Sequence, residues 1–325
     1  MTLQMKAGTR PRPLKSKSRI GLVAPSGPLL EPDDLSRAIE LCLALGLVPV
    51  AGAHVTDVRG YLAGSDDARV SDLNAAIENP DIDAIWCLRG GYGVTRILDR
   101  VNYDALASHP KIVLGYSDIT ALLLAVHART GIPTFHGPVA RQGLTEFSRR
   151  HLVRTIFDPP CAGELALPSP PPAVMVPRSP RVVTVVEGVA EGPLIGGNLS
   201  LLHCLVGTPY LPSLEGAILF LEDTGEALYA IDRILSHLRL AGLLAGLAGV
   251  AIGHFTDLRR GTAEGALGLE TVLRDYFASM EIPVVHGFPI GHLEDQWTLP
   301  IGCHAKLDAT HRSLTLLEPA VHLSA

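Results

Sequence analysis

In its first half the chain alternates short, wholly apolar segments with amphipathic ones, and this alternation restricts the possible folds more than any other feature. Strands are expected at 19–24 (RIGLVA), 47–50 (LVPV), 84–88 (AIWCL) and 111–115 (KIVLG). Between them, Leu35, Ile39, Cys42 and Leu43 recur at helical spacing in a helix that begins near Pro32 and stops at Gly46. Val70, Leu73 and Ile77 do the same in a second helix, stopped at Asn79 and Pro80. Strands without a polar face, separated by helices, predict a mostly parallel sheet covered on both sides.

In such sheets the chemistry collects on loops outside the carboxyl ends of the strands. Three loops of the first half qualify: Pro25-Ser26-Gly27, the stretch 89–93 (RGGYG) and Gly115-Tyr116-Ser117. The glycines of 89–93 let backbone amides approach an anion or a developing oxyanion, or they form a plain turn. Their spacing lacks the G-x-G-x-x-G that a dinucleotide site needs at a helix start. Ser117 stands between a strand and a helix through 119–126. There its hydroxyl serves either as a helix cap or as an exposed nucleophile flanked by helix N-terminal amides.

A length of 325 residues predicts two domains. The 47% hydrophobic and 18% charged residues match a soluble globular protein, and a formal net charge of −6 gives no sign of nucleic-acid binding. The longest apolar run, 240–253, is too short to span a bilayer and reads as a helix end, a turn and a buried strand. Five scattered cysteines, with no CxxC pair, argue against a disulfide framework. Residues 1–18 are expected to form a flexible basic tail: six Lys and Arg but no acid fall within the first nineteen positions, and no apolar signal segment follows. Cytoplasmic location is therefore expected. The proline-rich stretch 159–181 is expected to link a domain at 19–158 to one at 182–325.

The second half opens with a strand at 181–186, a glycine-rich loop at 192–198 (GPLIGGN) and a helix at 199–206. A strand at 216–221 (GAILFL) ends at Glu222 and Asp223, acids that commonly mark a solvated loop entrance. Leu228, Ile231, Ile234, Leu235 and Leu238 lie on one face of the following helix, and a strand at 250–252 leads to His254. The stretch 283–302 is irregular and holds His286 in an apolar segment and His292 at a loop start. No histidine, cysteine and carboxylate cluster has metal-ligand spacing, and no cofactor is implied.

Several short motifs recur in the order of one family: VAPSG (23–27), RGGYG (89–93), GYSD (115–118), HGP (136–138), GGNL (196–199), LED (221–223), IDR (231–233), and GH (291–292) with TLPIG (298–302). On these the chain resembles the LD-carboxypeptidases, serine peptidases whose relatives include microcin C immunity proteins. The resemblance implies a flavodoxin/Rossmann-like parallel-sheet domain, a C-terminal α/β domain of the swivelling type, and a site in the cleft between them. It also implies Ser117 as nucleophile, His292 as general base and Glu222 as the carboxylate orienting it, because a serine needs an imidazole to take its proton and the imidazole needs an anion. The backbone N–H groups of Asp118 and Gly91 are the expected oxyanion donors. Arg89, Gly90 and Tyr92 are candidates for binding substrate, Arg89 either as partner of the substrate carboxylate or as a brace of its own loop.

The expected substrate is a murein tetrapeptide losing its terminal D-alanine, and a homodimer is expected from the resemblance. An alternative is a peptidyl or acyl adenylate. The immunity relatives stack a base on an interdomain aromatic, and 159–181 contains no Trp, Tyr or Phe. A non-catalytic module that binds an anionic ligand is the alternative of another class.

Overall fold

A computed structural model describes residues 10–157, 161–169, 181–259 and 267–323. Residues 1–9 of the expected tail, and 158–160 and 170–180 in and beside the expected linker, lie outside the described residues. In chain order the first part contains β1 (Arg19–Val23), α1 (Asp34–Ala44), β2 (Val48–Ala51), α2 (Asp66–Glu78), β3 (Ala84–Cys87), α3 (Tyr103–Ser108), β4 (Ile112–Gly115), α4 (Thr120–Thr130), β5 (Thr134–His136), α5 (Glu146–Ile156) and β6 (Gly163–Glu164). The second contains β7 (Val183–Val186), β8 (Val189–Asn198), α6 (Leu199–Cys204), β9 (Ile218–Thr224), α7 (Leu228–Leu240), β10 (Gly249–Thr256), α8 (Leu269–Phe277), β11 (Val284–His286), β12 (Leu299–Ile301), β13 (His304–Asp308) and β14 (Ser313–Leu316).

The first sheet runs β12-β5-β4-β3-β1-β2, with β1 to β5 parallel as their unbroken apolar character requires. Its core order, 2-1-3-4-5, is the flavodoxin-like doubly wound order, whose switch point lies between β1 and β3. The second sheet runs β6-β14-β13-β8-β9-β10-β11-β7, with β8 to β11 parallel and antiparallel strands on both flanks. Both sheets belong to a mixed α/β protein, as expected.

Four expectations change. The glycine-rich segment 192–198 is not a loop but the end of the ten-residue strand β8. A Cβ at Gly192 or Gly196 would meet the backbone oxygen of Gly216 or Phe220 at 2.2 or 1.9 Å, so these glycines let neighbouring backbone approach a central strand. Strand β9 continues through Glu222 and Asp223, which are buried rather than solvated. Leu43 is 59% exposed, because α1 turns a stripe of Leu35, Ala38, Ile39 and Cys42 inward and carries position 43 past its edge. Part of the expected tail is docked on the body: Leu14 is buried and donates its N–H to Ile156 O, and Arg10 pairs with Glu318, whereas Arg12, Lys15, Ser16 and Lys17 are exposed.

The segment 182–325 is not confined to the second sheet either, since β12 pairs antiparallel with β5 of the first. One apolar core joins the halves, with α4 residues such as Leu122 and Leu123 in the same cluster as Leu194, Leu219 and Phe220. Thr120 accepts the Asn198 N–H (3.1 Å), and a Cβ at Gly197 would meet the Thr120 side chain at 2.5 Å, so the helix following Ser117 seats in a notch of β8.

Candidate active site

Ser117 follows β4 on a turn that the sequence makes tight. A Cβ at Gly115 would meet Ile119 at 2.8 Å, and Ser117 itself has φ of 64°. A non-glycine residue in that region is strained and persists only where its surroundings over-determine it. Ser117 is not at a cap position: it is the first residue inside the 3₁₀ turn 117–119, Tyr116 and Ile119 stand at the N-caps of that turn and of α4, and neither element has a side-chain capping bond.

Asp118 is 2% exposed and fastens three loops: it accepts the Ser26 hydroxyl at 2.5 Å and the Val94 N–H at 3.0 Å. Burial raises its pKa, and those two hydrogen bonds work against the rise. Arg69, also buried, donates to Pro25 O and to Gly93 O (2.9 Å), tying the same loops from α2. Sequence reasoning missed both roles, since nothing local marks Arg69 apart from an exposed helix arginine.

The glycine-rich loop closes against the serine. A Cβ at Gly90 would lie 2.8 Å from Ser117 Cβ and 3.0 Å from its Oγ, and Gly90 O accepts the Gly27 N–H. Gly91 has φ of 123° and packs on Gly27. Arg89 braces its surroundings, one guanidinium nitrogen donating to Pro28 O at 2.6 Å. Burial, then the nearby Arg141, lowers its pKa. Tyr92 is half exposed and meets Tyr61 edge-on with ring centroids 5.6 Å apart.

From the second sheet, Glu222 stands in central strand β9 with no exposed surface, and its Oε2 lies 2.8 Å from His292 Nδ1. His292 rides on the loop after β11. Gly291 there has φ of 111°, and any Cβ would fall 2.7 Å from Glu222 Oε2, so only glycine lets the loop run this close. The continuation of the loop is held by the first half of the chain. Gln142 donates to Leu293 O, Ser148 to Glu294 O, Thr145 to Asp295 Oδ1, and the Gln296 N–H to Ser148 Oγ. The His292 ring packs on Tyr116, the neighbour of Ser117, with centroids 4.8 Å apart. His286 ends β11, and His254 lies in β10 near Gly287 O, so neither belongs to this group.

Among the described residues no cluster of His, Cys, Asp and Glu could hold a metal ion, and no helix is long and apolar enough to cross a membrane. A strained serine beside a glycine-rich loop, and a buried carboxylate–imidazole pair brought up from a second sheet, define a two-domain α/β protein with a hydrolase-like site. Residues 20–137 match the LD-carboxypeptidase N-terminal domain and residues 191–307 the C-terminal domain, and the chain belongs to the LD-carboxypeptidase family. It is 35% identical to a probable murein peptide carboxypeptidase of Bacillus subtilis over 94% of each chain. It is 36% identical to the murein tetrapeptide carboxypeptidase of Pseudomonas aeruginosa over 89% of this chain and 93% of that one. The solved structure of MccF in complex with glutamyl sulfamoyl guanosine superposes with a TM-score of 0.85 at 26% identity, over 96% of this chain and 99% of that one.

Proposed function

We propose that the protein is a serine carboxypeptidase that releases the terminal D-alanine of murein tetrapeptides, with Ser117 as nucleophile, His292 as general base and Glu222 as its orienting carboxylate. The observation carrying this reading is the 2.8 Å contact between His292 Nδ1 and the buried Glu222, presented beside Tyr116 next to the strained Ser117. With Nδ1–H donated to Glu222, Nε2 is the nitrogen left to accept the serine proton. The alkoxide adds to the scissile carbonyl, and the backbone N–H groups of Asp118 and Gly91 receive the oxyanion. His292 then returns the proton to the departing D-alanine amine, and the acyl-enzyme is hydrolysed by a water that the same base activates. Arg89 has guanidinium donors beyond the one bound to Pro28 O, and these serve the substrate carboxylate, with Tyr92 at the rim. The enzyme works as a cytoplasmic homodimer in this reading.

The test is release of D-alanine from a murein tetrapeptide, followed by mass spectrometry, in the wild type and in Ser117→Ala. Loss of about 10³-fold or more in kcat is expected, and full activity in Ser117→Ala would sink the mechanism. The likeness to MccF favours a second reading, hydrolysis of a peptidyl or acyl nucleotide by the same residues. Rapid cleavage of an aminoacyl sulfamoyl nucleotide's hydrolysable counterpart, with none of tetrapeptide, would establish that reading in place of the first.

A further inference from the structure

Behind the Glu222–His292 pair lies a histidine that the mechanism above does not use. His136 ends β5, in register with Gly115 of β4 on one side and Leu299 of β12 on the other, so it sits beside the strand that delivers Tyr116 and Ser117. It has no exposed surface, and neither ring nitrogen has a hydrogen-bond partner. A neutral imidazole carries one donor and one acceptor, and leaving both unpaired in an apolar interior is costly.

The surroundings of His136 point to what pairs with it. Its ring meets Phe220 edge-on (centroids 5.4 Å apart) and Tyr116 edge-on (6.0 Å). Phe220 lies two residues before Glu222 on β9, hence on the same face of that strand, which turns Glu222 toward the same side of the sheet as His136. Glu222 Oε2 is taken by His292, whereas Oε1 is buried with no partner. Thr298 Oγ1, close to Gly137, and Gln296 Oε1 are buried and unpaired as well. Five of the ten buried side-chain polar atoms without a partner among the described residues thus belong to four side chains gathered at or near this seam. Polar, enclosed and multiply unpaired sites of this kind are where proteins hold internal water.

We infer that His136 is a positioning residue for Glu222: an enclosed water accepts an N–H of the His136 ring and donates to Glu222 Oε1, fixing the carboxylate that orients His292. The inference rests on the assignment of Ser117, His292 and Glu222 proposed above. Burial holds the His136 ring neutral, its pKa pushed down to about 4 against the opposing pull of Glu222, so it acts as a dipole rather than a second cation beside His292. The groups facing His292 are Glu222 from β9, Tyr116 from the end of β4 and, behind them, His136 from β5. Arg141 bears on Tyr116 from the loop after β5. Without the donor at Oε1, the carboxylate charge concentrates on the oxygen facing Nδ1, which favours the imidazolium of His292.

The experiment uses the full chain carrying His136→Phe or His136→Gln. It measures kcat and KM for D-alanine release from about pH 5 to about pH 9, and the His292 titration by NMR of ¹⁵N-labelled imidazoles in the Ser117→Ala background. His136→Phe is expected to lose about 10- to 100-fold in kcat with KM changed by less than roughly threefold. Its His292 midpoint, and with it the acidic limb of kcat/KM, is expected to move to higher pH. His136→Gln, which keeps a donor and an acceptor, is expected to recover most of the lost rate. A folded His136→Phe with wild-type kcat and an unmoved His292 midpoint would overturn the inference. So would equal rate losses in both variants with that midpoint unmoved. If Ser117→Ala retains activity, the assigned mechanism fails by itself, and the NMR titration still reads whether His136 is coupled to His292.

Discussion

Glu222 and Asp223 are consecutive residues of one strand and therefore face opposite sides of it, which gives two adjacent acids unrelated tasks. Glu222 meets His292, whereas Asp223 accepts Asn198 Nδ2, the Ser200 N–H and hydroxyl, and the Thr224 N–H, joining β8, β9 and the start of α6. Glu222→Gln is accordingly expected to lower kcat by roughly 10³- to 10⁴-fold with little change in thermal midpoint. Asp223→Asn, which keeps one acceptor oxygen and misplaces a donor among donors, is expected to cost about 1–3 kcal/mol of stability and far less rate. Equal effects of the two substitutions on kcat would refute the division of labour. In the sequence alone both acids look like a solvated strand end, because burial depends on the strands that later flank β9. Ser117 was ambiguous for the opposite reason: strand, turn and helix are visible locally, but the φ of 64° and the company of Gly90 are not.

Strand β8 shows how an element is misread when its glycines are taken as punctuation. A segment with glycine at 192, 196 and 197 has the composition of a loop, yet all three lie in an extended strand at the centre of the second sheet. Their reason is reach: the Phe220 and Gly216 carbonyls and the Thr120 side chain occupy the places where Cβ atoms would stand. Gly196→Ala forces a methyl group onto the Phe220 carbonyl at a φ of 154° and is expected to cost at least about 3 kcal/mol, through overpacking and backbone strain together. Gly207→Ala is the matched control, since its φ is 80° but nothing lies within 4 Å, and only about 1 kcal/mol is expected. Urea unfolding of the two variants measures the difference, and similar costs would mean that close approach does not govern β8. Four of the five parallel strands of the first half, by contrast, were legible from their unbroken apolar runs, with ends displaced by a residue, whereas the three-residue β5 was not read.

At the scale of the whole molecule, two sheets were legible but their interleaving was not, because β12 is only three residues long and its partner β5 lies 163 positions earlier at Leu299↔His136. The fold buries His136 and His151 and leaves His127, His203, His254 and His286 half-buried, and the pH dependence of stability follows. Burial lowers the pKa of His127, His136, His151, His203, His254 and His286, to about 4 for His136 and His151. As pH falls from 6.5 toward 4, the unfolded chain takes up protons that these native rings refuse, so stability is present above that window and is lost within it. For fully buried His136, a midpoint displaced from 6.5 to about 4 is worth on the order of 3 kcal/mol. Asp118 and Asp223 act the other way: burial raises both, the native state takes up their protons first, and they return part of the loss over the lower end of the window. Carboxylates held low by hydrogen bonds and ion pairs, such as Asp34 and Asp66, contribute only at more acidic pH. With His136 and His151 pushed down to about 4, the slope between pH 7 and pH 5 is expected to be positive, so the urea midpoint is expected to be lower at about pH 5 than at about pH 7, and His136→Phe is expected to flatten that difference. A His136→Phe variant whose midpoint falls as far between about pH 7 and about pH 5 as that of the wild type would show that the ring is not held neutral in the native state, and the neutral imidazole assigned to His136 would fall with it.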